Sequence, residues 1–285
     1  QLVTNSNIIS LRDKINLFGF PCVVKPIIGY KSYGVKKFET TVTNEDISEL
    51  FDLTNTEEKE FFKNFNNDFL IETYLSGPLV SVDGFVQNKK ISFAGIVEFL
   101  MGPEPHFTQE ANYIPARISK DTEKSCFEYT SSVIEALEFN HCCFHAELRI
   151  TSEGPRLIEI ACRLPGGPLH AGYNRAFGYN LAINLIDIWL GNETKLKPQK
   201  NNYIVQKAIF HHTGGKIQSI NTPKDPLKES GVWDYVEISH VGDEIITYPK
   251  IPKPLYYYAA EANNSEKLSK IESEFEKKVT FEIIT

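Results

Sequence analysis

The stretch HAELRITSEGPRLIEIACRLPGG, residues 145–167, places Glu147 and Glu159 on the two arms of one expected hairpin, and no other feature constrains the fold as tightly. Side chains alternate between the faces of a strand, so the register decides whether the two carboxylates meet. A three-residue turn, Ser152-Glu153-Gly154 with Gly154 left-handed, pairs Thr151 with Pro155 and sets Glu147 opposite Glu159. Their Cβ atoms then stand about 5 Å apart, an arrangement that destabilises a sheet when both groups are charged. A two-residue loop would send the carboxylates to opposite faces instead; Gly154 favours the three-residue turn. Opposed carboxylates are tolerable around a cation, and oxygen ligands completed by water and phosphate are what Mg²⁺ prefers. Arg163 follows within reach, where a planar guanidinium can hold a phosphoryl or acyl-phosphate group. Gly166 and Gly167 leave backbone N–H groups open to a developing oxyanion. The set points to phosphoryl chemistry.

The rest of the chain limits the alternatives. At 285 residues, 41% hydrophobic and 24% charged, it can bury a large core in one to three domains. A formal net charge of −7 without a Lys/Arg stripe argues against a nucleic-acid partner. No apolar run reaches the roughly 18 residues that span a bilayer, and QLVTNSNIIS lacks a signal-peptide pattern. The expectation is a cytoplasmic protein without a membrane partner. Five cysteines fit a reducing compartment better than a disulfide framework. His141-Cys142-Cys143-Phe144-His145 could suggest zinc, but adjacent strand residues point apart, so Cys142 and Cys143 cannot share one ion.

Along the chain, residues 10–21 read as a helix running into a turn. Cys22 to Lys25 and Val35 to Phe38 read as strands joined by a loop bearing Gly29 and Gly34, a flap that can lay N–H groups and the Ser32 hydroxyl over phosphates while Lys25 supplies charge. Two short helices are expected over 44–52, capped by Asn44, and 56–65. Strands follow at Phe69–Ile71, Val80–Val86 and 91–99. The proline-rich segment from Met101 to Ser119 reads as a loop over a site, and 121–139 as a helix. Past Arg163, LPGGPLHAGYNRAFG reads as a loop leading into a helix ending at Gly191. Residues 195–202 resemble a boundary, followed by short strands, a charged helix and a last strand.

VVKPIIGYKSYGV, FLIETYLSGPLVSVDGF and HAELRITSEGPRLIEIACRLPGG, in this order over residues 18–195, resemble the ATP-grasp carboxylate-amine ligases of the L-amino-acid (dipeptide) ligase type. The resemblance implies an α+β chain with the ATP-grasp fold, two αβ lobes with ATP between them, followed by a small C-terminal α+β lobe. It divides the chain into a linker helix from an N-terminal domain lacking here (1–20), the flap lobe (21–75), the larger lobe with the metal site (76–195) and the C-terminal lobe (196–285). It implies an enzyme that uses ATP and Mg²⁺, or Mn²⁺, to turn a carboxylate into an acyl phosphate, which an amine attacks to give an amide, ADP and phosphate. Lys25, Ser32 and Gly34 would contact the nucleotide phosphates, and Glu72, Tyr74 and Leu75 would form the adenine hinge. Glu147 and Glu159 would hold the metal, and Arg163 with Gly167 would steady the acyl phosphate. The implied partners are ATP and small amino-acid-like substrates, with an N-terminal domain or partner chain alongside, and a homodimer stays open.

Glu110, Asn112 and Arg117 lie where the family would contact an amino-acid substrate, with a solvated loop as the competing reading. Glu110 or Asp83 could bind its amine, and Arg117 or Arg175 its carboxylate. The chain departs from the family pattern at Gly77-Pro78-Leu79-Val80, which offers no acidic residue for the ribose, and at Ala161, where asparagine is common. The lost ribose acid and the lacking N-terminal domain keep a second reading alive, a nucleotide-binding subunit or pseudoenzyme acting through a partner.

Overall fold

The computed structural model describes residues 1–4, 6–29, 32, 34–51, 66–247 and 252–284. It divides into two units, one of Gln1–Leu75 with Met101–Gln109 and Ile246–Pro252, the other of Ser76–Leu100, Glu110–Ile245 and Lys253–Thr285.

In the first unit, alternate residues Cys22, Val24 and Pro26 of β2 (Cys22–Pro26) are buried. That period-two pattern places the strand beside β4 (Phe69–Thr73), which pairs with it from Cys22↔Thr73 to Pro26↔Phe69. With β1 (Leu2–Val3) and β3 (Lys36–Phe38) they form a sheet of order β1-β4-β2-β3. Helix α1 (Ile8–Phe18) is capped by Asn7, whose side chain accepts from the Ser10 N–H, and it buries Leu11 and Ile15 against Val24, Phe69 and Ile71. Helix α2 (Asn44–Ser48) starts at Asn44, the expected cap, and is capped one residue earlier by Thr43. Thr43 and Asp46 form a reciprocal capping box, with the Thr43 side chain accepting from the Asp46 N–H and the Asp46 carboxylate from the Thr43 N–H. The helix expected over 56–65 lies outside the described residues.

The second unit is built on one sheet. Its strands are β5 (Leu79–Gln87), β6 (Lys90–Met101), β7 (Gln109–Ile114), β8 (Cys142–Thr151), β9 (Gly154–Ala161), β10 (Tyr203–Ile209), β12 (Val232–Glu237) and β13 (Tyr256–Ala262). Among the described residues they form an eight-stranded sheet of order β12-β13-β10-β7-β6-β5-β8-β9, while β11 (Lys216–Asn221) pairs with β14 (Thr280–Ile284) in a separate ladder. Helix α3 (Lys120–Ala136) buries Cys126 and Ile134 against Val80, Val82, Phe144 and Leu148 on one face of the sheet. Helix α6 (Ser265–Glu276) packs Leu268, Ile271 and Phe275 on Tyr113, Val205 and Tyr258. Among the described residues no helix is long and apolar enough to cross a membrane.

Three elements differ from the sequence expectation. The segment expected to be a loop contains β7, paired with β10 between Ala111↔Lys207 and Ile114↔Ile204; its prolines lie outside the strand, which buries Ala111, Asn112, Tyr113 and Ile114. The loop expected after Arg163 holds α4 (Leu169–Phe177), closed by left-handed Gly178. Its Gly172 lies so close to the sheet that a Cβ there would come within 2.6 Å of Ile114 and 2.9 Å of Gln206. The glycine that looks like a loop residue is thus a close-packing one. Within residues 196–285, β10, β12 and β13 extend the sheet begun by β5–β9, and β11 with β14 forms its own two-stranded ladder. Helix α5 (Leu181–Trp189) falls as expected and is capped by Asn180.

Candidate active site

The hairpin of β8 and β9 brings Glu147 opposite Glu159. The route to that register is not the one the turn predicts. Thr151 pairs with Gly154, so the loop is the two-residue Ser152-Glu153, and Leu148 then pairs with Leu157. A bulge at this point adds Ile158 to β9 and restores the Glu147↔Glu159 pairing. Without the extra residue the second carboxylate would point to the opposite face.

Cross-strand partners share a face, which extends the site across the sheet. Ser81 of β5 pairs with Glu147, and Val97 of β6 pairs with Ser81. The next row on the same face joins Gly95, Asp83, His145 and Ala161. Helix α4 covers this row. A Cβ on Gly95 would approach Tyr173 and Phe177 to 3.3 Å, so glycine there lets the Tyr173 ring settle on the strand.

The result is a buried polar cluster. Asp83, 1% exposed, accepts from the hydroxyls of Ser81 at 2.9 Å and Tyr173 at 2.8 Å through Oδ2, and its Oδ1 lies 2.6 Å from His145 Nδ1. The other ring nitrogen, Nε2, is 3.3 Å from Glu147 Oε1. Burial alone would lower the His145 pKa, but the hydrogen bonds and charges of Asp83 and Glu147 outweigh it and raise the value to about 9. The ring thus bridges the two carboxylates, one at each nitrogen. Burial and the Asp83 charge push Tyr173 well above its ordinary value, leaving it a neutral donor. A buried carboxylate with three partners escapes the penalty of an unpaired charge.

At the open end of the face, Glu147 is half-buried while Glu159 and Arg163 are exposed. Arg163 Nη1 donates to the Leu164 carbonyl at 3.1 Å. Gly166 and Gly167, the latter at φ +57°, would meet nothing within 4 Å of an added Cβ, so the backbone here is accessible. Among the described residues no three His, Cys, Asp or Glu side chains converge on an ion. Two carboxylates with the remaining positions left to water and phosphate are a donor set that fits Mg²⁺ better than zinc.

The residues expected to contact nucleotide lie in the first unit. Lys25 Nζ is 2.6 Å from Glu72 Oε2. Ser32 at φ +57° and Gly34 at φ +75° form a turn in which the Val35 N–H donates to the Ser32 carbonyl at 3.1 Å. The Tyr74 hydroxyl donates to Glu104 Oε1 at 2.5 Å, Lys37 Nζ sits 3.8 Å from its ring centroid, and its N–H donates to the Pro21 carbonyl at 3.1 Å. Leu75 closes this stretch of the unit.

The expected substrate residues fare differently. Arg117 is not on the Glu147 face. It grips Glu98 through Nε at 2.9 Å and Nη2 at 2.8 Å and stacks 3.4 Å over Tyr113. Glu98 belongs to the row Glu98–Val80–Leu148, which faces α3. Glu110 shares the face of Asn112 and Ile114, against which α4 packs, but β7 lies three strands from β8, or about 14 Å at the usual strand spacing. Its Oε1 is 2.8 Å from His212 Nε2. Asp83 is saturated by its internal partners, and Arg175 pairs with Glu261 at 3.1 Å. Sequence reasoning missed Ser81, Tyr173 and the role of His145. One signal was available, since His145 precedes Glu147 by two residues and so shares its face.

An ATP-grasp domain profile matches residues 18–169. The chain is 23% identical over 203 residues to the alanine–anticapsin ligase of Bacillus subtilis, covering 65% of this chain and 43% of that one. It is 30% identical over 110 residues to the dapdiamide A synthase of Enterobacter agglomerans, covering 38% of this chain and 26% of that one. The chain thus spans less than half the length of these curated relatives. The crystal structure of an L-amino acid ligase from Bacillus licheniformis superposes with a TM-score of 0.74 at 16% identity, over 94% of this chain and 65% of that one, a likeness of fold. With the profile spanning more than half of the sequence and ending just beyond the Glu147–Glu159 hairpin and Arg163, the chain belongs to the ATP-grasp family.

Proposed function

We propose that this chain carries the nucleotide and metal site of an ATP- and Mg²⁺-dependent ligase, which activates a carboxylate as an acyl phosphate and joins it to an amine of an amino-acid-like substrate. The observation that carries the reading is the pairing of Glu147 with Glu159 on one face of the hairpin, with Arg163 and an accessible Gly166-Gly167 backbone following directly in the chain. The alanine–anticapsin ligase and the L-amino acid ligase, by their names, join amino acids, which supports the substrate class.

In this reading Glu147 and Glu159 would hold Mg²⁺, which when bound would neutralise phosphate charge. The substrate carboxylate attacks the γ-phosphorus of ATP, giving the acyl phosphate and ADP. The amine then attacks the acyl carbon, and collapse of the tetrahedral species expels phosphate and leaves the amide. Arg163 and the Gly167 N–H stabilise the charge that develops in both steps. Lys25, released from Glu72, contacts the phosphates with the Ser32 and Gly34 turn, and the backbone from Glu72 through Tyr74 to Leu75 receives the adenine. Glu110, on the same sheet face as Glu147, is the better placed of the two substrate candidates to meet an amine.

The test is ADP release with ATP, Mg²⁺ and panels of amino acids, with hydroxylamine present to capture an acyl phosphate as its hydroxamate. ADP and hydroxamate should form together, require the amino acid, and fall about 100-fold in Arg163→Met. ADP release indifferent to the acid, or to Arg163, contradicts the proposal.

A further inference from the structure

We infer that His145 is a positioning residue for the Glu147 carboxylate, anchored by Asp83, Ser81 and Tyr173; the inference rests on the proposed metal role of Glu147.

Its basis is the cluster's geometry. The imidazole is held at both ends, by Asp83 Oδ1 at 2.6 Å and by Glu147 Oε1 at 3.3 Å. His145 and Asp83 are 4% and 1% exposed, so neither can serve as a first contact for a substrate. Asp83 is fixed in turn by Ser81 from its own strand and by Tyr173 from α4, which reaches it over Gly95. Every link is a side chain on the same face, and the chain of contacts ends on one oxygen of Glu147. A carboxylate with one oxygen engaged by a donor has its rotamer restricted and presents the other oxygen outward. Partners of this kind behind a metal ligand are commonly worth 10–100-fold in metal affinity. Glu147 is thereby held in place from within the sheet.

The test is Mn²⁺ binding to the full chain saturated with ADP, followed by electron paramagnetic resonance, beside ADP binding in EDTA. His145→Ala should weaken Mn²⁺ about 10-fold or more while ADP affinity in EDTA stays within two-fold, and His145→Gln, which can still donate to Glu147, should recover most of the loss. Tyr173→Phe, which touches neither Glu147 nor His145 directly, should weaken Mn²⁺ by a smaller factor. In the unmodified chain, Mg²⁺ added with ADP should move the His145 ring-nitrogen resonances, a readout that needs no variant to fold. Unchanged Mn²⁺ affinity in folded His145→Ala, or ring resonances unmoved by Mg²⁺, overturns the positioning role alone. An unmodified chain that binds ADP but no Mn²⁺ overturns the metal site and this inference with it.

Discussion

Replacing Tyr173 by phenylalanine removes one oxygen from a fully buried ring and with it one donor to Asp83. The bond is 2.8 Å long and its acceptor is the buried carboxylate of Asp83. A hydrogen bond to a charged group contributes about 1.5–3 kcal/mol, so a loss of about 2 kcal/mol is expected, since Ser81 and His145 still solvate the carboxylate. For a unit of this size that lowers Tm by about 4–8 °C. Tyr129→Phe provides the scale. The Tyr129 hydroxyl accepts from the Leu157 N–H at 3.2 Å, a neutral bond worth about 1 kcal/mol, and its loss should cost roughly half as much. The assay is thermal and urea unfolding of the full chain in EDTA. Because Asp83 and Tyr173 share one network, Tyr173→Phe with Asp83→Asn should be less destabilising than the two single effects added together. A Tyr173→Phe penalty no larger than that of Tyr129→Phe, or strict additivity with Asp83→Asn, would refute the account of the buried cluster.

Other outcomes follow from the same structure. Burial opposes ionisation of Glu98, but the hydrogen bonds and charge of Arg117 prevail and hold its pKa below the ordinary carboxylate range. The pair therefore stabilises the fold above the unfolded glutamate pKa, near 4.3, and the contribution is lost as pH falls through the lower folded value; stability curves from pH 7 to 3 should fall less steeply in Glu98→Gln than in the unmodified chain. Burial raises the thiols of Cys22, Cys126 and Cys143 to about 11, whereas Cys162 is exposed. Limiting iodoacetamide followed by peptide mass mapping should mark Cys162 first. Gly77 at φ +119° would place a Cβ 2.1 Å from the Ile150 carbonyl oxygen, so Gly77→Ala should lower Tm by more than Tyr173→Phe does.

The two glutamates were legible because a strand's period of two turns sequence spacing into a face, and their register was expected correctly. The turn was not. A two-residue loop and the bulge at Ile158 offset each other, and no composition rule distinguishes that pair of irregularities from a regular three-residue turn. Asp83 and His145 are 62 residues apart and meet only because β5 lies beside β8, a neighbour relation set by sheet order. Their pairing was invisible until that order was known. The resemblance put Arg117 among the substrate contacts, but sequence shows a charge without its facing, and Arg117 engages Glu98 on the other side of the sheet. Helix α4 was hidden by Gly172 and Gly178, of which one marks close packing and the other the end of the helix. Local periodicity thus revealed the strands that carry the site, while the contacts that brace it depend on which strands and helices become neighbours.

The most direct test of the central claim is calorimetric titration of the full chain with a non-hydrolysable ATP analogue, with and without Mg²⁺, beside Glu159→Gln. The account expects tight binding that requires Mg²⁺ in the unmodified chain and loses that requirement, together with most of the affinity, in the variant. Binding of equal strength with and without Mg²⁺, or unaffected by Glu159→Gln, would contradict it.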